Sequence, residues 1–530
     1  MNYIKILALL ILINISFSTL AKKFHFIDEI LKKQIASEAP GCSVAITNKD
    51  SSSYFSRGMA SLEYQTNLSS QTQMLTASTS KQFLGYAILL LAKESLINLD
   101  DKIEKYIPEY KAFHGIKIHQ LLNHTSGIRD HWGIFELMGK SLYDEYKTSL
   151  VEQTLIGSKT DFSPNERYLY SNGGYFLLTK IVEKVTQQSF SIYMKKAIFQ
   201  KIGMKNTYYF DDYTKIIKNR ADGYLTDENK NFFAMRTHSE IVGPGHIITT
   251  IEDFSLWAKF LLHTNLSDLY SPLAKFNGSK LGGDVSYYAG LFKEKFNGLH
   301  VYQHAGYYEN WRQGFSLYPD KNIAIISLCN RADISTNKLN YSIARNLFSW
   351  PKSEITRSSS TSVKTGLFYN KELNEFIYIE KHKEQFYYLS PNNSAYAKLN
   401  FNSNKNLYNG VNFQQNNTFK FSEDEVLFSS PVISGSFHKL NFKNKITQEL
   451  KYIGRYKSIE KLGEIKIFYA NNKLVMELEN IGTIKYDQST EGVWVDQDNM
   501  STISFTQQDE YIELNLSLKH MKNVEYRKST

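Results

Sequence analysis

The chain has 530 residues, 42% of them hydrophobic and 22% charged, with a formal net charge of +9. That length is too great for one hydrophobic core and predicts two to four domains, while the composition excludes extensive disorder. The basic excess is small and forms no long Lys/Arg run, so it suits an anionic surface or substrate and argues against nucleic acid as a partner.

Lys5, the apolar run Ile6 to Ile13 and the residues ending at Thr19-Leu20-Ala21 read as an export signal over 1–21. The run is too short to span a membrane, so no stable transmembrane segment is expected after cleavage and the protein is expected in the periplasm or outside the cell. Cys42 and Cys329 are the two cysteines. Disulfides therefore do not hold this fold together, although one bridge is open to it.

A catalytic-sized region is expected over 22–350. It begins with an amphipathic helix from Phe26 to Ile35, followed by a hairpin from Cys42 to Arg57 that turns at Asn48-Lys49-Asp50. Ala77-Ser78-Thr79-Ser80-Lys81 opens an apolar-periodic helix running to Leu96. His119 to Ile128 reads as a short helix stopped by Gly127, and helical patterns dominate to about Met204. A tight loop at Tyr170-Ser171-Asn172-Gly173-Gly174 feeds one helix, and Gly243-Pro244-Gly245 leads to another through Phe254 and Trp257. Strands resume at Val301–Gly306, Gly314–Tyr318 and Ile323–Leu328, and a helix from Leu339 to Phe348 closes the unit. Strands at both ends predict one sheet built from both termini.

Residues 351–363 form a polar linker. Beyond it, two all-β units are expected over 364–445 and 446–530. Gly366-Leu-Phe-Tyr aligns with Gly454-Arg-Tyr-Lys at a spacing of 88 residues, the length of a small barrel or sandwich.

Ser78 and Lys81 lie one helical turn apart, so an amine sits against a hydroxyl that needs a base to become a nucleophile. The Ser-x-x-Lys pattern recurs at Ser335/Lys338, Ser436/Lys439 and Ser458/Lys461, so its context decides. Tyr170-Ser171-Asn172 follows Ser78 by 92 residues, and His304-Ala305-Gly306 stands on a strand 134 residues later. Burial beside a phenol or a second cation would lower the Lys81 pKa, Tyr170 would relay a proton, and Asn172 would offer its amide to the substrate and to Lys81. Either Lys81 or Tyr170 serves as the base.

In the order and spacing of these three motifs the chain resembles the serine β-lactamase and penicillin-binding protein superfamily, in its class C β-lactamase, D-Ala-D-Ala carboxypeptidase, D-aminopeptidase and esterase branch. Pro40-Gly41, Leu121 to Gly127 and Gly203-Met204-Lys205-Asn206-Thr207 add to the likeness, which covers about residues 25–350. The resemblance implies an α/β (α+β) fold of an antiparallel sheet and a helical subdomain. It implies catalysis by Ser78, Lys81 and Tyr170, with substrate bound by Asn172, His304, Gly306 and Tyr307, whose N–H joins that of Ser78 as an oxyanion donor. It also sets the Cys42 and Cys329 strands side by side, where a disulfide can form.

Lys364-Thr365-Gly366 matches the third motif literally but opens the first β unit, so His304 is preferred. Gly306 is expected to let substrate approach the strand edge, and a mainly neutral His304 to hold a carboxylate less firmly than lysine would. His124 and His246 are read as structural, and Tyr307 to Arg312 either line the cleft or form a surface loop around one packed Trp. The expectation is an exported serine hydrolase with no metal or organic cofactor, acting through a Ser78 acyl-enzyme on small amides or peptides, D-amino-acid peptides derived from peptidoglycan among them. Its alternatives are a β-lactamase, a short-chain esterase and a non-catalytic penicillin- or peptidoglycan-binding protein.

Overall fold

A computed structural model describes residues 24–350, apart from 142, 228, 275–279 and 282–284, and residues 363–528 apart from short stretches between strands. The expected export signal and all of the expected linker but Val363 lie outside the described residues.

Residues 24–34 are helical. Strand β1 (Cys42–Thr47) then turns into β2 (Ser52–Arg57), the Asn48 Oδ1 accepting the N–H groups of Asp50 and Ser51 at 2.8 Å each to close the turn. The remaining strands of the sheet come from the far end of the region. They are β3 (Lys280–Leu281), β4 (Val285–Tyr288), β5 (Leu291–Phe296), β6 (Leu299–Tyr308), β7 (Trp311–Tyr318) and β8 (Ile323–Cys329). The sheet order is β3-β4-β5-β6-β7-β8-β1-β2, antiparallel throughout, so the expected union of both termini is the β1–β8 pairing. In that register Cys42 faces Cys329, and a disulfide joins them.

Both faces of the sheet are covered, which is why β1 is buried at every position and β8 at all but its first. On one face Ile27 and Leu31 of the first helix meet Leu339 and Ile343 of a helix at Thr336–Leu347, over Val44 and Ile325. The other face carries α1 (Lys81–Lys93), α2 (His131–Leu137), α3 (Asn172–Thr186) and α4 (Ile251–His263) in one continuous core, in which Phe254 stacks on Phe315 at 5.4 Å. The helix expected over His119 to Ile128 is shorter, ending at Leu122. His124 and Gly127 both take positive φ there, which breaks the helical path before it reaches Ile128.

Among the described residues, eight strands from Gly366–Asn370 to Ser434–Lys439 close into one barrel, and eight from Gly454–Ser458 to Met521–Lys528 close into a second. Gly366 and Gly454 open the two barrels with φ of 124° and 154°, so the repeat of 88 residues is a repeat of one architecture. The Phe368–Lys439 and Tyr456–Lys528 pairings join first strand to last and leave no free sheet edge. No helix among the described residues is long and apolar enough to cross a membrane.

Candidate active site

Ala77–Ser80 is a 3₁₀ turn that runs straight into α1 at Lys81. In a 3₁₀ turn residues i and i+3 eclipse, which puts Ser78 and Lys81 on one line more directly than an α-helical turn does. Ala77 takes a positive φ of 49°, a conformation disfavoured for a residue with a Cβ. Ser78 stays half-buried while its neighbours Ala77, Thr79, Ser80 and Lys81 are buried, so it is the residue of the turn that remains partly accessible.

The Lys81 Nζ lies 3.2 Å from Ser78 Oγ and donates to Asn172 Oδ1 and to the carbonyl of Pro244, each at 2.7 Å. Burial pulls its pKa down to about 7, against the opposing pull of Asp130. Asn172 opens α3, and its Nδ2 donates to Asp130 Oδ2 at 2.7 Å. Asp130 is the N-cap of α2 and accepts the Trp132 N–H at 3.1 Å. That bond fixes which way the Asn172 amide faces: nitrogen to the carboxylate, oxygen to the lysine.

Lys81 Nζ sits 4.8 Å from the centroid of the Tyr170 ring. The buried Tyr170 hydroxyl interacts with Ser78 without a hydrogen bond of ordinary geometry, and burial raises its pKa well above the usual phenol range. His124 donates no bond to this group but holds it in place. Its Nδ1 accepts the Ser171 N–H at 3.1 Å, and its ring lies among Tyr170, Tyr175 and Tyr287. His246 is buried beside Tyr308, and burial takes its pKa to about 4.

β5 pairs with β6 only as far as Gln303, so the residues that follow meet the Ser78 turn. His304 Nε2 faces the Tyr287 hydroxyl at 3.2 Å, and burial with Lys81 nearby lowers its pKa to about 3, which keeps the ring neutral. Gly306 also makes room inside the protein. A Cβ there would lie 2.5 Å from the Thr76 carbonyl and 3.2 Å from Ala77 Cβ, so the missing side chain admits the serine turn itself. Tyr307 is exposed, its hydroxyl accepting from Asn337 at 3.1 Å, whereas Trp311 is buried and Glu309 sits in the hairpin turn with φ of 31°.

The three motifs thus converge on one point, and Lys364-Thr365-Gly366 stands apart from it at the start of the first barrel. Ser335 of the second Ser-x-x-Lys is a helix cap, accepting the Lys338 N–H at 3.4 Å. Sequence reasoning missed Asp130 and the Pro244 carbonyl, although the loop around Pro244 was visible. Among the described residues no cluster of three or more His, Cys, Asp or Glu side chains is placed to hold a metal ion.

Residues 27–346 match the family described as Beta-lactamase. The chain is 28% identical over 321 residues to Protein flp of Staphylococcus aureus strain N315, a match spanning 57% of this chain and 62% of that relative, less than two thirds of its length. Among solved structures it is similar to the octameric penicillin-binding protein homologue from Pyrococcus abyssi, with a TM-score of 0.54 and 18% identity over 96% of this chain and all of that one. It is also similar to a D-stereospecific amidohydrolase from Streptomyces sp., with a TM-score of 0.52 and 20% identity over 62% of this chain and 99% of that one. At these identities the two structures speak to the fold.

Proposed function

Since the chain belongs to the beta-lactamase family, within a superfamily of serine hydrolases, we propose that it hydrolyses small amides and esters through an acyl-enzyme on Ser78. The observation that carries this reading is the bonding of the Lys81 amine. A neutral amine has two N–H groups and one lone pair. Its two close carbonyl acceptors, on Asn172 and Pro244, take the N–H groups and leave the lone pair for the Ser78 hydroxyl. With a pKa of about 7, much of Lys81 is neutral at physiological pH.

In this reading Ser78 Oγ attacks the substrate carbonyl and its proton passes to Lys81. A positioned base of this kind contributes typically ~10²–10⁴-fold. The N–H groups of Ser78 and Tyr307 receive the oxyanion. Tyr170, held protonated by burial, gives its proton to the leaving group and recovers one from Lys81; water then cleaves the ester. Asn172 orients the substrate carbonyl. Neutral His304 supplies no charge for a carboxylate beside the scissile bond, which ranks uncharged esters and amides, including amides of D-amino acids, above penicillins. The buried disulfide fits an oxidising compartment and therefore export.

The test is intact-mass analysis of wild type and Ser78→Ala with a fluorescent penicillin, D-alanyl p-nitroanilide and p-nitrophenyl butyrate. An adduct that needs Ser78 and turns over is expected with the anilide or the ester. No adduct and no product with any of the three would replace this reading with that of a binding protein.

A further inference from the structure

The second barrel touches the catalytic region directly behind the Asp130–Asn172–Lys81 chain. Arg129 is buried, and its guanidinium bridges Asp161 Oδ1, at 2.7 Å, and Glu460 Oε2 of the barrel. Glu460 lies in the loop between strands Gly454–Ser458 and Glu464–Ala470, and the same carboxylate oxygen also accepts the Lys159 N–H at 3.2 Å. The apolar contact is continuous with this bridge: Ile134 and Leu137 of α2 are buried in the barrel's own core with Leu462 and Ile465.

Arg129 faces two ways. Its side chain is tied to the barrel, while its carbonyl accepts the Ser171 hydroxyl at 3.3 Å and would lie 2.6 Å from a Cβ on Gly173. The next residue is Asp130. One dipeptide therefore joins the barrel loop to the start of α3, where Asn172 meets Lys81.

We propose that the second barrel is a working part of the site, with Glu460 a positioning residue that fixes Arg129 and thereby holds Asp130, Asn172 and the Lys81 amine in register. The proposal rests on Lys81 acting as the base. Simple adhesion between domains makes a different prediction, because a second buried pair, the Lys522 amine with Glu375 at 3.1 Å, joins the two barrels through side chains, and Lys522 meets Arg129 only through its backbone carbonyl, at 3.5 Å, which Glu375→Gln leaves in place.

The experiment compares full-length wild type, Glu460→Gln and Glu375→Gln. Acylation is followed with p-nitrophenyl butyrate, and amide hydrogen exchange is followed over 130–137 and 171–176. Glu460→Gln is expected to lower the acylation rate about tenfold with little change in half-saturating ester, and to speed exchange in both segments, whereas Glu375→Gln stays within about twofold of wild type in both. Wild-type rate and exchange in Glu460→Gln, or equal losses in the two variants, would overturn the proposal. If wild type does not acylate, the Lys81 reading is what fails, and the exchange comparison alone decides this one. Should Glu460→Gln not fold, Arg129→Lys, which keeps the charge and loses the fork, is expected to show the same loss, and full activity in it overturns the idea.

Discussion

At the scale of single residues, the reading turns on one proton. If Lys81 must be neutral to accept it, the rate of Ser78 acylation climbs with pH through about 7 and then levels. That limb persists in His304→Gln, because His304 has already lost its proton by about pH 3. A limb that vanished with His304 would reassign the base. The same shift affects stability. The folded state releases the Lys81 proton near 7 while the unfolded chain keeps it to about 10.4. Wild type should therefore gain on Lys81→Met by roughly 1.4 kcal/mol per pH unit across that window and lose the gain as pH falls back through 7, as urea midpoints across the window will show. Asp130→Ala frees the Asn172 amide to turn over, and the loss of a hydrogen bond to a charged group, ~1.5–3 kcal/mol, corresponds to about a tenfold to hundredfold slower acylation. Ser78, Lys81, Tyr170, Asn172 and His304 were legible because each carries its chemistry in its side chain at a motif spacing. The Pro244 acceptor was not, since every residue owns a carbonyl. Asp130 belongs to no motif, and its part in the site comes only from the fold that sets it against Asn172.

At the scale of elements, the site depends on how closely β6 approaches the Ser78 turn. Gly306→Ala places a methyl group against the Thr76 carbonyl, and either strand or turn must give way. Overpacking of this kind costs typically ~1–3 kcal/mol, and here it also separates Tyr307 from Ser78. Thermal melts should show the destabilisation, and acylation should fall further than the melt alone accounts for. A variant as stable and active as wild type would mean that the close approach is dispensable. Strands β1, β2, β6, β7 and β8 were readable from alternation and turn residues, whereas β3, β4 and β5 were not, and the 88-residue spacing pointed to two β units of barrel or sandwich size that the structure closes into barrels. The contact of Glu460 with Arg129 joins positions 331 residues apart through one buried carboxylate, and no local pattern records it.

At the scale of the whole molecule, the sheet is held by its two ends. Cys42 and Cys329 are both buried, so denatured but unreduced protein should show no reactive thiol and reduced protein two. Replacing the pair by alanines should cost about 2–5 kcal/mol in urea unfolding, with activity retained in the folded fraction. The β1–β8 seam also imposes a timetable. Cys329 is synthesised 287 residues after Cys42, and at ~5–20 residues per second β1 waits on the order of 15–60 s for its partner. Ser78 is likewise made long before His304 and Gly306 reach the ribosome exit. A nascent chain therefore carries the nucleophile through the next 226 residues of its synthesis without the strand that completes its surroundings, and the chemistry is withheld until the last third of the region has emerged and folded back.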